Sequence, residues 1–145
     1  MDKRRRLKGW NYGSPGVYFV TFCTHKKHHL LGEVVDGDVM LSSVGRLCQT
    51  ELTACCHGPD SFVIMPNHVH ILIQQDHPND ANSNVVKTVR AIKAHTTLKA
   101  HRLGFQGKLW QPSFHDHIVR DEATYRRIRE YIMNNPAQWS LDCLH

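Results

Sequence analysis

Apolar and polar positions along the chain follow two rhythms, one of period two and one near 3.6, and their order predicts a small mixed domain. Residues 16–24, Gly-Val-Tyr-Phe-Val-Thr-Phe-Cys-Thr, are rich in β-branched and aromatic side chains and follow a Gly/Ser/Pro turn, which predicts a central strand. Leu30 to Val35 and Asp38 to Leu41 flank Asp36-Gly37, a dipeptide that accepts positive φ, so a hairpin is expected there. From Ser42 or Ser43 onward Val44, Leu47, Cys48, Leu52 and Cys55 recur at helical spacing to about Cys56, and Gly58-Pro59 stops the helix. Ser61 to Met65 reads as a short strand, Pro66-Asn67 as a turn, and His68 to Gln74 as the next strand. After a polar loop the segment Asn84 to Leu103 reads as a helix, with Val85, Val89, Ile92, Thr96 and Leu103 on one arc and Lys87, Arg90, His95 and Arg102 opposite. Gly104 and Gly107 end it. Leu109 to Val119 is expected as a fourth main strand, and Asp121 or Thr124 opens a last helix to about Asn134, before Pro136.

Strand, hairpin, helix, strand, strand, helix, strand, helix is an α+β order. It predicts a ferredoxin-like (split βαβ) antiparallel sheet with helices mainly on one face and an added C-terminal helix. The sequence contains no internal repeat or interdomain linker, so residues 1–145 are expected to form a single domain, with 1–12 as a basic N-terminal arm.

Charge narrows the class of partner. Eighteen Lys and Arg against 13 Asp and Glu give a net charge of +5, which favours an anionic partner, nucleic acid first. Five cysteines without a Cys-x-x-Cys pair indicate neither a disulfide framework nor a zinc ribbon, and fit a reducing cytoplasm. The basic run Lys3 to Arg6 is not followed by an apolar segment, and no stretch is long enough for a membrane span, so a cytoplasmic protein is expected.

Twelve histidines stand outside that charge balance, and two are placed suggestively. Strand alternation puts His68 and His70 on one face and Val69, Ile71 and Ile73 on the other. The apolar set suits the helix-covered core, so the imidazoles are expected side by side on the opposite, more open face, within reach of one metal ion. Hydrogen-bonded or surface histidines are the alternative, and His115-Asp116-His117 repeats the pattern. On the last helix Tyr131 and Asn135 are one turn apart at the rim of the buried arc. An amphipathic tyrosine with an Asn cap has the same spacing.

The combination is more specific. Met65-Pro66-Asn67-His68-Val69-His70 resembles the His-hydrophobe-His motif of the HUH single-tyrosine transposases. Tyr131-Ile132-Met133-Asn134-Asn135-Pro136 resembles the tyrosine helix of their REP-associated branch. Arg6-Leu7-Lys8-Gly9, Tyr18-Phe19-Val20-Thr21, Trp110-Gln111 and Asp116-His117 extend the likeness over nearly the whole chain.

That resemblance implies a transposase that nicks and rejoins single-stranded, hairpin-forming DNA through a 5′-phosphotyrosine at Tyr131. It further implies a divalent metal ion, Mg²⁺ or Mn²⁺, on His68, His70 and the amide oxygen of Asn135. Insertion-sequence relatives often carry Gln where Asn135 stands, so this sequence lies nearer the REP-associated branch. The first are dimers with sites completed in trans and the second complete them in cis, so a homodimer is one expectation. Nucleoid association follows when DNA is bound. The alternative is a catalytically inactive module that binds single-stranded DNA or RNA hairpins.

His117 is a candidate for a second-layer or DNA-contacting role. Arg4, Arg5, Arg6 and Lys8 of the arm, and Arg126, Arg127 and Arg129 beside the tyrosine, are candidate phosphate contacts. Trp10, Tyr12 and Trp110 are candidates for stacking on unpaired bases, with a core role as the alternative for Trp110. Cys55-Cys56-His57 and His25, His28 and His29 offer no chelating frame.

Overall fold

The structure, a computed structural model, describes residues 16–55, 61–75 and 84–135. The arm with Arg4, Arg5, Arg6, Lys8, Trp10 and Tyr12, the stop at Gly58-Pro59, and Pro136 lie outside the described residues. In chain order the elements are β1 (Gly16–Cys23), β2 (Gly32–Val35), β3 (Asp38–Leu41), α1 (Ser43–Cys55), β4 (Phe62–Met65), β5 (His68–Gln75), α2 (Asn84–Arg102), β6 (His115–Val119) and α3 (Glu122–Asn134). The main sheet has the order β4-β5-β1-β6 with every pair antiparallel, the ferredoxin-like arrangement that the element order predicts. β2 and β3 form a separate hairpin, and Asp36 (φ 52°) and Gly37 (φ 82°) make its turn with both central residues at positive φ.

Local signals set the helix ends. Ser42 opens α1: its Oγ accepts the Gly45 N–H at 3.0 Å and donates to the Leu30 carbonyl at 2.8 Å, tying the helix start to the chain before the hairpin. Asp121 caps α3 by accepting the Thr124 N–H at 2.8 Å. α2 ends in a Schellman motif: the Phe105 N–H donates to Ala100 O, the Gly104 N–H to His101 O, and Gly104 takes φ 103°. That turn corrects one expectation. Leu103 lies past the last helical turn and is 65% exposed, and Ala100 takes the buried position after Thr96.

The core lies between one sheet face and α1 with α2. Val20 and Phe22 of β1 and Val69, Ile71 and Ile73 of β5 meet Val44, Cys48 and Leu52 of α1 and Val85, Val89 and Ile92 of α2. Each such aliphatic side chain contributes roughly 1.5–3 kcal/mol through removal from water.

The fourth main strand is shorter than its apolar run. β6 begins at His115, and Leu109 to Phe114 contributes only an isolated Thr24–Trp110 bridge. Pro112 has no N–H for a ladder, and the carbonyls of Gln111 and Ser113 accept from Lys93 Nζ at 2.9 and 2.8 Å instead. Trp110 is 5% exposed and meets the Phe22 ring edge-on at 5.1 Å, so it is a core residue and no stacking platform.

α3 lies across the other sheet face. It touches β4 and β6, the outer strands, and its Tyr131 reaches Phe19 of β1 and His70 of β5 between them. Among the described residues no helix is long and apolar enough to cross a membrane.

Candidate active site

Antiparallel register decides which side chains share the face under α3. His68 stands opposite Cys23 and Met65, and His70 opposite Thr21 and Val63, with His115 beyond Thr21. The next row holds Leu72, Phe19 and His117. Both His-x-His segments therefore point to the same side, separated by β1. This face is not the open one that the alternation suggests. His68 is 0% and His70 3% exposed, because α3 and the neighbouring side chains cover them.

Burial obliges the imidazoles to take partners. His68 Nδ1 donates to Asn67 Oδ1 at 2.7 Å, and His70 Nδ1 is bonded to Thr21 Oγ1 at 2.8 Å. Each bond uses the nitrogen nearer the backbone and fixes the ring's orientation, so Nε2 is the atom of each ring that could serve as a metal ligand. The ring centroids are 4.7 Å apart.

α3 adds the second half. The Tyr131 ring meets His70 at 5.3 Å and Phe19 at 6.4 Å, both edge-on, while 38% of the residue stays exposed. One turn later Asn135 is 1% exposed, and its Oδ1 is buried without a hydrogen-bond partner. An amide oxygen in that state costs free energy unless something binds it. Among the described residues no three His, Cys, Asp or Glu side chains gather as a metal-binding group, so a metal held at this place would need a third protein donor of another type. Two imidazole nitrogens and an orphaned amide oxygen fit a divalent ion of the Mn²⁺ or Mg²⁺ kind, the imidazoles favouring Mn²⁺.

Phe19 joins the parts. It stacks on His70 at 5.3 Å with 23° between planes and meets His117 edge-on at the same distance. His117 is exposed, yet partial desolvation holds its pKa below the usual imidazole value, so the ring is neutral near pH 7.

The basic candidates separate. Arg127 is one turn before Tyr131 on the same side of α3, with its guanidinium on Thr124 Oγ1. Arg126 and Arg129 fall on other sides by helical angle, and Arg129 lies over the Tyr125 ring. Lys87, Arg90 and Arg102 are exposed on α2, on the far side of the sheet from Tyr131, and His95 binds Glu51 there.

Thr21, Phe19 and Asn67 entered sequence reasoning only as parts of matching strings, with no role of their own. The signal for the first two is i, i+2 alternation in β1 combined with its register against β5, which no single strand reveals.

Comparison with known proteins gives the family and the fold. The family described as "Transposase IS200 like" matches residues 16–135. An uncharacterized protein of Haemophilus influenzae is 32% identical over 163 residues, covering 97% of this chain and 91% of that protein. A solved REP-associated tyrosine transposase bound to a REP hairpin superposes with a TM-score of 0.67 and 22% identity, over 98% of this chain and 76% of that one, which shows the fold.

Proposed function

This chain belongs to the IS200-like transposase family, the HUH single-tyrosine group, and from that premise we propose that it nicks and rejoins single-stranded DNA, with Tyr131 as nucleophile. The observation that carries the reading is the Tyr131 ring lying 5.3 Å from the His70 ring within one chain. Nucleophile and phosphate-binding side thus meet without a second copy, which supports a site completed in cis. The solved relative bound to a REP hairpin supports hairpin-forming DNA as the substrate.

His68 and His70, through Nε2, and Asn135, through Oδ1, would hold Mg²⁺ or Mn²⁺. When bound, that ion supplies positive charge that polarises the scissile phosphate. The phenolic oxygen of Tyr131 attacks phosphorus in line, the P–O3′ bond breaks, and the 3′-hydroxyl departs. The new O–P bond is a 5′-phosphotyrosine that conserves the energy of the diester. Attack by another 3′-hydroxyl returns the phosphate to DNA and restores the phenol, so strand transfer needs no nucleotide cofactor. Phe19 orients the His70 and Tyr131 rings, and neutral His117 is assigned a DNA contact beside them. Arg127, one turn from Tyr131, is assigned the nearest phosphate contact on α3.

Tyr131→Phe keeps the ring contacts and removes the hydroxyl. It should abolish the covalent protein–DNA adduct, read on a denaturing gel with a labelled hairpin oligonucleotide, while affinity stays within about twofold. An adduct that survives in this variant refutes the assignment. Tight hairpin binding by the unaltered chain with no adduct under any metal condition identifies the inactive binding module instead.

A further inference from the structure

Small side chains leave a hollow where α1 and α2 meet. Glu51 of α1 bonds His95 at 3.2 Å and Lys99 at 2.6 Å, which clamps the two helices together. Beside this clamp lies a cavity of about 310 Å³, lined by Ala54 and Cys55 of α1 and by Lys87, Thr88, Ala91 and Ile92 of α2. Alanine on both helices keeps it open.

The hollow continues as a stripe along α2. At 100° per residue Ala91, Ala94 and Leu98 fall on one arc, and all three are exposed, Leu98 to 51%. Val85, Val89, Ile92, Thr96 and Ala100 serve the core, so the stripe faces away from it. A lone exposed leucine is ordinary, but here it lines up with a groove. The same arc carries Lys87 before the stripe and Arg102 after it. Neither is in an ion pair among the described residues, whereas Glu51 is already engaged by Lys99 and His95. A rise of 1.5 Å per residue sets the two cations about 22 Å apart along the axis of α2.

Charge decides what fits. A second copy of this chain laid along the stripe would set cation against cation in either direction. Nucleic acid would satisfy Lys87 and Arg102 but lay a charged backbone on Ala91, Ala94 and Leu98. We propose that the groove docks an amphipathic helix of a partner protein, apolar in its middle and carrying carboxylates at both ends, with one aliphatic side chain seated in the hollow between α1 and α2. Such docking uses anchors one and two turns apart against a preformed groove. The face is across the sheet from Tyr131, so a seated partner leaves the tyrosine side open, and the proposal does not depend on the nickase reading.

The test uses the full chain and two synthetic peptides of about 16 residues, long enough for the 22 Å span when helical. One has leucines at i, i+3 and i+7 between terminal glutamates, and the other is the same composition with the leucine spacing scrambled. By calorimetry the patterned peptide should bind at least about tenfold more tightly than the scrambled one. In ¹⁵N spectra its shifts should centre on residues 87–102 and the last turn of α1. Lys87→Glu/Arg102→Glu should weaken binding by about tenfold or more, and Leu98→Ala by roughly fivefold. Ala91→Glu, which puts a carboxylate in the hollow, should abolish it. These positions are exposed and the new residues are good helix formers, so cooperative melting should persist and adduct yield on a hairpin oligonucleotide should not change. No binding of the patterned peptide at about 1 mM, equal affinity for the scrambled one, or no effect of the variants overturns the proposal. A hairpin affinity that falls about tenfold in the double variant assigns the face to nucleic acid, and self-association that Leu98→Ala abolishes assigns it to a second copy; either result overturns it too.

Discussion

Thr21→Val tests whether the buried imidazoles are ligands or merely packed side chains. The substitution replaces a hydroxyl by a methyl of nearly the same size at a buried position, so β1 and its register stay filled. What is lost is the 2.8 Å bond to His70 Nδ1. Removing one partner of a buried hydrogen bond costs about 1–3 kcal/mol. If His70 Nε2 is a ligand, part of that cost appears as weakened metal binding, since loss of an outer partner of a ligating histidine typically lowers affinity 10–100-fold. That range is about 1.4–2.7 kcal/mol, consistent with the hydrogen-bond figure. The assay has two readouts. Free Mn²⁺ measured by electron paramagnetic resonance gives the affinity, and adduct yield against Mn²⁺ gives the half-saturation point. Both should shift 10–100-fold to higher metal, with the full adduct plateau recovered at saturation, and Tyr131→Phe should leave the affinity unmoved. A Thr21→Val protein that melts cooperatively and binds Mn²⁺ within threefold of the unaltered chain refutes the ligand role of His70. A lowered plateau with unchanged half-saturation would instead place Thr21's effect on Tyr131.

Two further outcomes probe the frame that holds the site. Burial pushes the Lys93 pKa down from 10.5 to about 8, so between those values the unfolded chain carries a proton that the folded chain has released. Stability should therefore rise with pH across that interval, by about 3 kcal/mol at most, since the two carbonyl acceptors favour the ammonium. Urea melts at pH 8 and 10 check this: Lys93→Met should lose that increment, and an identical pH dependence in the variant rejects the account. Gly45 lies so close to the preceding loop that a β-carbon would stand 2.0 Å from the Leu31 carbonyl oxygen. Gly45→Ala should cost roughly 1–3 kcal/mol by thermal melting, and an unchanged midpoint would contradict the close approach of α1.

The parts of this molecule legible in its sequence are those written in local chemistry. Asp36-Gly37 specifies its own turn, Ser42 and Asp121 specify helix starts, and alternation in β5 sorts Val69, Ile71 and Ile73 from His68 and His70. Misreadings arose where a distant residue decides. The run from Leu109 is apolar enough for a strand, but Lys93, on another element, takes the carbonyls that a ladder needs. Leu103 continues the helical arc, but the Schellman turn at Gly104 removes it from the core. The burial of His68 and His70 is of the same kind, because nothing in β5 says that a helix more than fifty residues later will lie across it.

That last difference alters the chemistry expected of the site. On an open face the proposed divalent ion and a phosphate would interact through water, where unit charges about 4 Å apart gain only about 1 kcal/mol. Beneath α3 the same groups would lie in a medium of lower effective dielectric, in which such a pair gains several-fold more. On the proposed reading, the helix that carries Tyr131 is therefore also the cover that would strengthen the field acting on the phosphate. Ile132, its only fully buried apolar side chain among the described residues, anchors that cover, while Tyr131 and Met133 on either side are exposed.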